Sequence, residues 1–128
     1  MPFDFIPSKR QIAGHRAYRD GLAAEDAVAD HYASLGYPVL ARRWRDHGGE
    51  VDIICQGDGE LLFIEVKKAD CFDWAAERLS FAQLERIALA AEEYIGTVAA
   101  DPLMPMRIDL AKVDRQGQIE IEEGLTLY

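Results

Sequence analysis

Residues 48–68 read GGEVDIICQGDGELLFIEVKK. Two apolar runs flank a turn sequence, Gly57-Asp58-Gly59, so the stretch predicts a β-hairpin with its turn over Gln56 to Glu60. In the first run Glu50, Asp52 and Ile54 alternate with Val51, Ile53 and Cys55, which places both carboxylates on one face of a strand. In the second, Leu61, Phe63, Glu65 and Lys67 point one way and Leu62, Ile64 and Val66 the other. If the runs pair through the turn, Asp52 and Glu65 stand on neighbouring strands and share one patch.

That patch has the composition a hard divalent cation requires. Magnesium takes one or two protein carboxylates, keeps several waters and leaves positions for a phosphate. Asp52 and Glu65 are therefore the expected ligands of Mg²⁺ or Mn²⁺, with the Ile64 or Val66 carbonyl as a further donor. Lys67, two residues beyond Glu65, is placed to orient or deprotonate a water and to offset phosphate charge. A lone Glu-x-Lys in a strand is most often a solvated face with a cross-strand ion pair. The acidic pair one hairpin earlier makes the chemical reading the stronger one.

N-terminal to the hairpin, Gln11 to Leu35 predicts a helix ended by Gly36, with Pro38 just beyond. Its apolar stripe, Val28, Tyr32 and Leu35, extends one step back onto Glu25, and an acid on a core-facing stripe needs a partner or an edge from which to reach water. Gly21 is a poor helix residue and suits close approach by a backbone or a ligand. Tyr37 to Arg45 predicts a strand whose end is strongly basic. Arg42, Arg43 and Arg45 there, with Trp44, suit phosphates and a base, or a charge-guarded sheet edge.

C-terminal to it, Asp70 to Leu79 reads either as a mobile loop covering the site or as a packed connector. Ser80 and Gln83 form a capping box, Leu84, Ile87, Ala88, Ala91 and Ile95 make an apolar stripe, and Gly96 is the expected stop. After a linker over Thr97 to Pro105, Met106 to Val113 predicts a strand parallel to one in the meander, and Gln118 to Leu127 an antiparallel edge strand.

A chain of 128 residues forms one domain, and 49% hydrophobic with 29% charged residues is ordinary for a globular protein. Its longest uncharged apolar runs, Leu61–Ile64 and Ile87–Ala91, fall far short of the ~18 residues of a membrane span. The N-terminal MPFDFIPSKR carries Asp4 and Pro7 where a signal peptide needs an apolar core, so the expected location is cytoplasmic. Cys55 and Cys71 lack metal-finger spacing, and Cys55 reads as a small buried hydrophobe. The net charge of −9 opposes purely electrostatic nucleic-acid binding. Its distribution is uneven, however: residues 1–47 hold seven Lys and Arg against six acids, and Lys67 and Lys68 stand beside the carboxylates.

The order helix, three-strand meander, helix, strand, with an acid in the second strand and Glu-x-Lys in the third, resembles the PD-(D/E)XK nuclease superfamily. More closely, GLAAEDAVADHYASLGYPVLARRWRDHGGEVDIICQGDGELLFIEVKK is similar to the YraN-like bacterial family, whose motifs run G-x-x-A-E, G-Y-x-[IV]-L-x-R-N, G-E-[IV]-D-[LI]-I and F-[VI]-E-V-K. The resemblance spans about Gly21 to Gly96, with a weaker match at Arg107-Ile108-Asp109. It implies a restriction-endonuclease-like α/β fold with Glu25, Glu50, Asp52, Glu65 and Lys67 in the site and Gln83 as an accessory. The chain departs from the family where Arg43 replaces Asn and where Ala69 and Ala82 replace basic residues, which weakens the expected grip on phosphate.

The reading is a metal-dependent endonuclease acting on DNA, by analogy with resolvases on branched or structured DNA. Arg42, Arg43, Arg45, Lys68 and Gln83 are the expected nucleic-acid contacts, no membrane is involved, and a homodimer is left open. The alternative, from another class, is a degenerate nuclease fold that binds nucleic acid or protein without cleavage.

Overall fold

A computed structural model of the chain describes residues 8–99 and 101–127, with the side chains of residues 10–20 outside that description. The N-terminal stretch through Pro7 and the side chains of Arg10, Arg16 and Arg19 therefore lie outside the described residues. The elements run α1 (Lys9–Ser34), β1 (Val39–Arg45), β2 (Glu50–Gln56), β3 (Leu61–Lys68), α2 (Phe72–Glu77), α3 (Phe81–Thr97), β4 (Met106–Val113) and β5 (Ile119–Glu122). One sheet takes the order β1-β2-β3-β4-β5.

The hairpin forms as its turn residues dictate. Gly57 N–H donates to the Glu60 carbonyl at 2.7 Å, and Gly59 adopts φ +74°, a left-handed conformation open to glycine. β1, β2 and β3 make an antiparallel meander, β4 lies parallel to β3, and β5 closes the sheet antiparallel to β4. This mixed α/β arrangement is consistent with a restriction-endonuclease-like fold.

Both sheet faces are covered, which is why the central strands read as nearly continuous apolar runs. On one face α3 packs Leu84, Ile87, Ala91 and Ile95 onto Val51, Ile54, Leu61, Phe63 and Ile108. On the other α1 packs Ala24, Val28, Ala29 and Tyr32 onto Ile53, Cys55, Leu62, Ile64 and Val113. Cys55 is fully buried, and both cysteines are free thiols. Ser80 Oγ accepts the Gln83 backbone N–H at 3.1 Å, fixing the start of α3.

Three local expectations change, and one left open between two alternatives is decided. Leu35 is exposed, because α1 ends at Ser34 and Gly36, at φ +87°, turns the chain before Leu35 can reach the core. Gly96 does not stop α3, which continues to Thr97 and is closed by the Val98 N–H on the Tyr94 carbonyl. Asp70 to Leu79 is a packed connector with a short helix, α2, pinned by the fully buried Ala75. The edge strand β5 spans only Ile119–Glu122, and the chain beyond it returns to β4 out of that register, with the Leu125 N–H on the Ile108 carbonyl.

A buried polar clamp escaped the sequence reading. Asp109, fully buried on β4, accepts from Tyr32 Oη of α1 at 2.9 Å, from Arg107 at 2.8 and 3.0 Å, and from the Gly124 N–H at 3.2 Å. Burial beside this carboxylate pushes the Tyr32 hydroxyl far above its usual range, so it acts only as a donor.

Candidate active site

The β2–β3 ladder is regular from Gln56 opposite Leu61 to Ile53 opposite Ile64. One step further along the same register Asp52 faces Glu65, and there the regular pairing stops. Asp52 Oδ2 instead accepts the Val66 backbone N–H at 2.8 Å. A carboxylate thus takes a donor that a continuing ladder would have to satisfy with backbone.

β2 also rolls over at this point. Val51 belongs to the core beneath α3 and Ile53 to the core beneath α1, although residues two apart in a regular strand share a face. On β1, Arg43 lies between Arg42, opposite Ile53, and Trp44, opposite Val51. It adopts φ +53°, the one positive φ at a non-glycine among the described residues. The roll exposes Asp52 and Glu65 to two grooves. One, of about 190 Å³, is lined with them by Glu50, Gln83 and Arg86; the other, of about 310 Å³, by Glu25, Arg43, Lys67 and Lys68.

The Asp52 and Glu65 carboxyls stand close enough on this patch to influence each other's titration. Burial pushes the Glu65 carboxyl up to about 8, helped by the adjacent Asp52 charge and opposed by Lys67. Burial also raises Asp52, to about 6, against the Val66 N–H that favours its charged form. Lys67 Nζ stands 3.5 Å from Glu65 Oε1. The Gln83 amide has two competing orientations. One accepts the Ser80 N–H at 3.3 Å; the other donates to the Arg78 carbonyl at 2.9 Å and accepts Lys67 Nζ at 3.2 Å. Two bonds outweigh one long one, so the second is assigned.

Glu25 does reach the patch from α1 and is buried. Its partner is Arg43, whose Nη2 and Nε both donate to Oε2, at 2.6 and 3.1 Å. The other expected phosphate contacts on β1 are likewise committed: Arg42 pairs with Asp26 at 2.8 Å and Arg45 with Glu50 at 3.4 Å. Trp44 packs edge-on against Tyr94 at 5.3 Å between ring centroids, so it serves the core and not a base. Gly21 admits no close backbone, since a Cβ there would meet nothing within 4 Å; it borders the groove instead. Lys68 lines the groove. The sequence reading missed Arg78 and Arg115, which line a further groove beyond Lys67 and Lys68.

The donor set is oxygen-only and carries excess negative charge, which fits Mg²⁺ or Mn²⁺. Among the described residues no three His, Cys, Asp or Glu side chains gather as a metal cage. A cation on Asp52 and Glu65 would accordingly keep most positions for water and substrate oxygens.

The sequence profile of the "Uncharacterised protein family UPF0102" matches residues 24–113, from the α1 segment holding Glu25 to the end of β4. The chain belongs to that family. This UPF0102 member is 45% identical over 113 residues to a UPF0102 protein of Cereibacter sphaeroides (strain ATCC 17025), covering 88% of this chain and 97% of that one. It is 41% identical over 115 residues to a UPF0102 protein of Roseobacter denitrificans, covering 90% and 89% of the two chains. A UPF0102 protein of Dinoroseobacter shibae is 41% identical over 118 residues, covering 92% and 88%. Among the described residues no helix is long and apolar enough to cross a membrane.

Proposed function

We propose that this UPF0102 chain is a metal-dependent endonuclease of the PD-(D/E)XK type that hydrolyses phosphodiester bonds in DNA. One observation carries the reading: the ladder parts where Asp52 meets Glu65, leaving two carboxyls side by side on one patch with the Lys67 ammonium 3.5 Å from Glu65. A sheet built only for stability would continue its pairing there.

Asp52 and Glu65 would hold Mg²⁺ or Mn²⁺, which when bound polarises a phosphate oxygen and acidifies a water. Lys67, steadied by Gln83, positions the attacking water and offsets negative charge on the phosphoryl oxygens. Val66 N–H fixes the Asp52 carboxylate, so that group is pre-oriented. Glu25, its Oε2 occupied by Arg43, lines the groove beside Asp52 and Glu65, and Glu50 adds charge from the α3 side.

The deciding assay sets wild type, D52N, E65Q and K67M, each with Mg²⁺ or Mn²⁺, against single-stranded, duplex and four-way-junction DNA. Metal-dependent cleavage lost in all three variants supports the reading. Cleavage equal in wild type and in D52N/E65Q would assign it to a contaminant. One observation favours a non-cleaving interaction module instead: all three β1 arginines are spent on acids of the same chain.

A further inference from the structure

Three cations without a salt bridge among the described residues gather elsewhere. Lys68, at the end of β3, Arg78, after α2, and Arg115, after β4, line one open groove of about 490 Å³ that also takes in Lys67. Against these four cations the described lining residues include one acid, Asp70, in a chain whose net charge is −9. Arg78 and Arg115 are exposed, and among the described residues no acid forms a salt bridge with either, whereas Arg42, Arg43 and Arg45 each have one. Local charge opposite in sign to the whole molecule marks an anion path.

The groove is continuous with the carboxylates. It shares Gly21, Val66, Lys67 and Lys68 with the groove of Glu25, Asp52 and Glu65, and the bare Gly21 keeps the passage open. Trp74 is 57% exposed on α2, one helical turn before Arg78 and so on the same side. A large aromatic left in water costs solvation that burial would recover, and an indole one turn from a free guanidinium matches the pairing of base and phosphate in one nucleotide.

We propose that the groove of Lys68, Arg78 and Arg115 binds the phosphodiester backbone of a single DNA strand, with an unpaired base on Trp74, and leads that strand to Asp52 and Glu65. The single strand follows from Trp74, because bases inside a duplex are already stacked and offer no face to an indole. This deepens the nuclease reading and rests on it for the identity of the ligand. It also supplies a grip on phosphate that Ala69 and Ala82 do not.

The test is fluorescence anisotropy of a labelled thymidine oligonucleotide in EDTA, with matched duplex DNA and single-stranded RNA as separate arms. Wild type is expected to bind the single strand more tightly than duplex, with a log-log salt slope of about −2 for three phosphate contacts. R78A/R115A should weaken binding at least tenfold and bring the slope to about −0.7. R78K/R115K should restore the slope, which a merely structural role would not do. W74A should weaken binding roughly tenfold at unchanged slope and abolish the tryptophan quenching caused by the strand. Unchanged affinity and slope in R78A/R115A, duplex bound as tightly as single strand, or RNA bound in preference to DNA would overturn the proposal. Cleavage assays on the same proteins separate the two readings. Binding lost in R78A/R115A without cleavage by any version upholds the groove and ends the nuclease. Cleavage with binding unchanged in R78A/R115A ends the groove alone, and a wild type that neither binds nor cleaves ends both.

Discussion

Asp52 accepts the backbone N–H of Val66 at 2.8 Å, and that bond is what allows Glu65 to stand beside it. A ladder that parts inside a sheet leaves an N–H without a partner. Here a side chain supplies the acceptor, so β2 and β3 diverge without an orphaned donor and two carboxyls come together in the gap. Burial raises both toward the protonated form, with the Asp52 charge adding to the shift of Glu65, and the metal-free protein carries that penalty in its stability.

The sign of the resulting pH dependence follows from the direction of the shifts. In the unfolded chain both acids release their protons near pH 4. In the folded chain Asp52 keeps its proton to about pH 6 and Glu65 to about 8. Between those limits the folded state binds more protons than the unfolded, so stability falls as pH rises. In EDTA, denaturant melts should show a loss on the order of a few kcal/mol from pH 5 to pH 8. Glu65→Gln should flatten most of that slope; a slope identical to wild type would show that other groups cause it.

A divalent cation should relieve the same penalty. If the site binds Mg²⁺ with a dissociation constant of roughly 1 mM, ~10 mM cation stabilises the native state by about 1.4 kcal/mol. For a domain of this size that raises the melting temperature by roughly 3 to 8 °C. Mn²⁺ should act at least as strongly. The shift should be absent in Asp52→Asn and should not be reproduced by NaCl at matched ionic strength. A shift surviving in the variant would mean that the acids only share a surface.

Much of this was legible along the chain. The hairpin, the Ser80 cap, the parallel β4 and the placement of Glu25 on a core-facing stripe depend on spacing and turn chemistry, which are local. The parting of the ladder was not legible, because it depends on a side chain of β2 meeting a backbone group of β3. The pairing of Arg42 and Arg43 was hidden for the same reason: Asp26 and Glu25 lie on α1, well back in sequence. Trp44 and Trp74 are alike in sequence context, each beside charged residues, and only packing decides that the first meets Tyr94 while the second stays in water. The short α2 has no side-chain cap to announce it.

Tyr32→Phe tests the buried clamp that ties α1 to β4. The change removes the hydroxyl donated to Asp109 and leaves that carboxylate with Arg107 and the Gly124 N–H. A lost hydrogen bond to a buried charged acceptor costs about 1.5 to 3 kcal/mol. The melting temperature should fall accordingly, while the Mg²⁺-induced rise, which depends on Asp52 and Glu65, should be unchanged. Loss of that rise would mean that the clamp also sets the geometry of the carboxylates.

Arg43 combines two opposed contributions that substitutions can separate. Its φ of +53° is a left-handed conformation that costs an L-residue roughly 1 to 2 kcal/mol and glycine almost nothing. Its guanidinium meanwhile satisfies the buried Glu25 through two hydrogen bonds. Arg43→Ala keeps the backbone penalty and leaves Glu25 without that partner, so it should destabilise by about 1 to 3 kcal/mol. Arg43→Gly loses the same pair but relieves the backbone, and should be more stable than Arg43→Ala by roughly 1 kcal/mol. Arg43→Asn should fall nearer to glycine, because asparagine tolerates the left-handed region and occupies this position in the motif the chain resembles. Adding Glu25→Gln to each variant removes the unpaired charge and should recover stability in all three. Chemical denaturation of the six proteins measures both contributions. Equal stabilities for the alanine and glycine variants would show that the strand relaxes once the arginine is gone, and that the arginine side chain's own contacts hold this residue in its strained conformation.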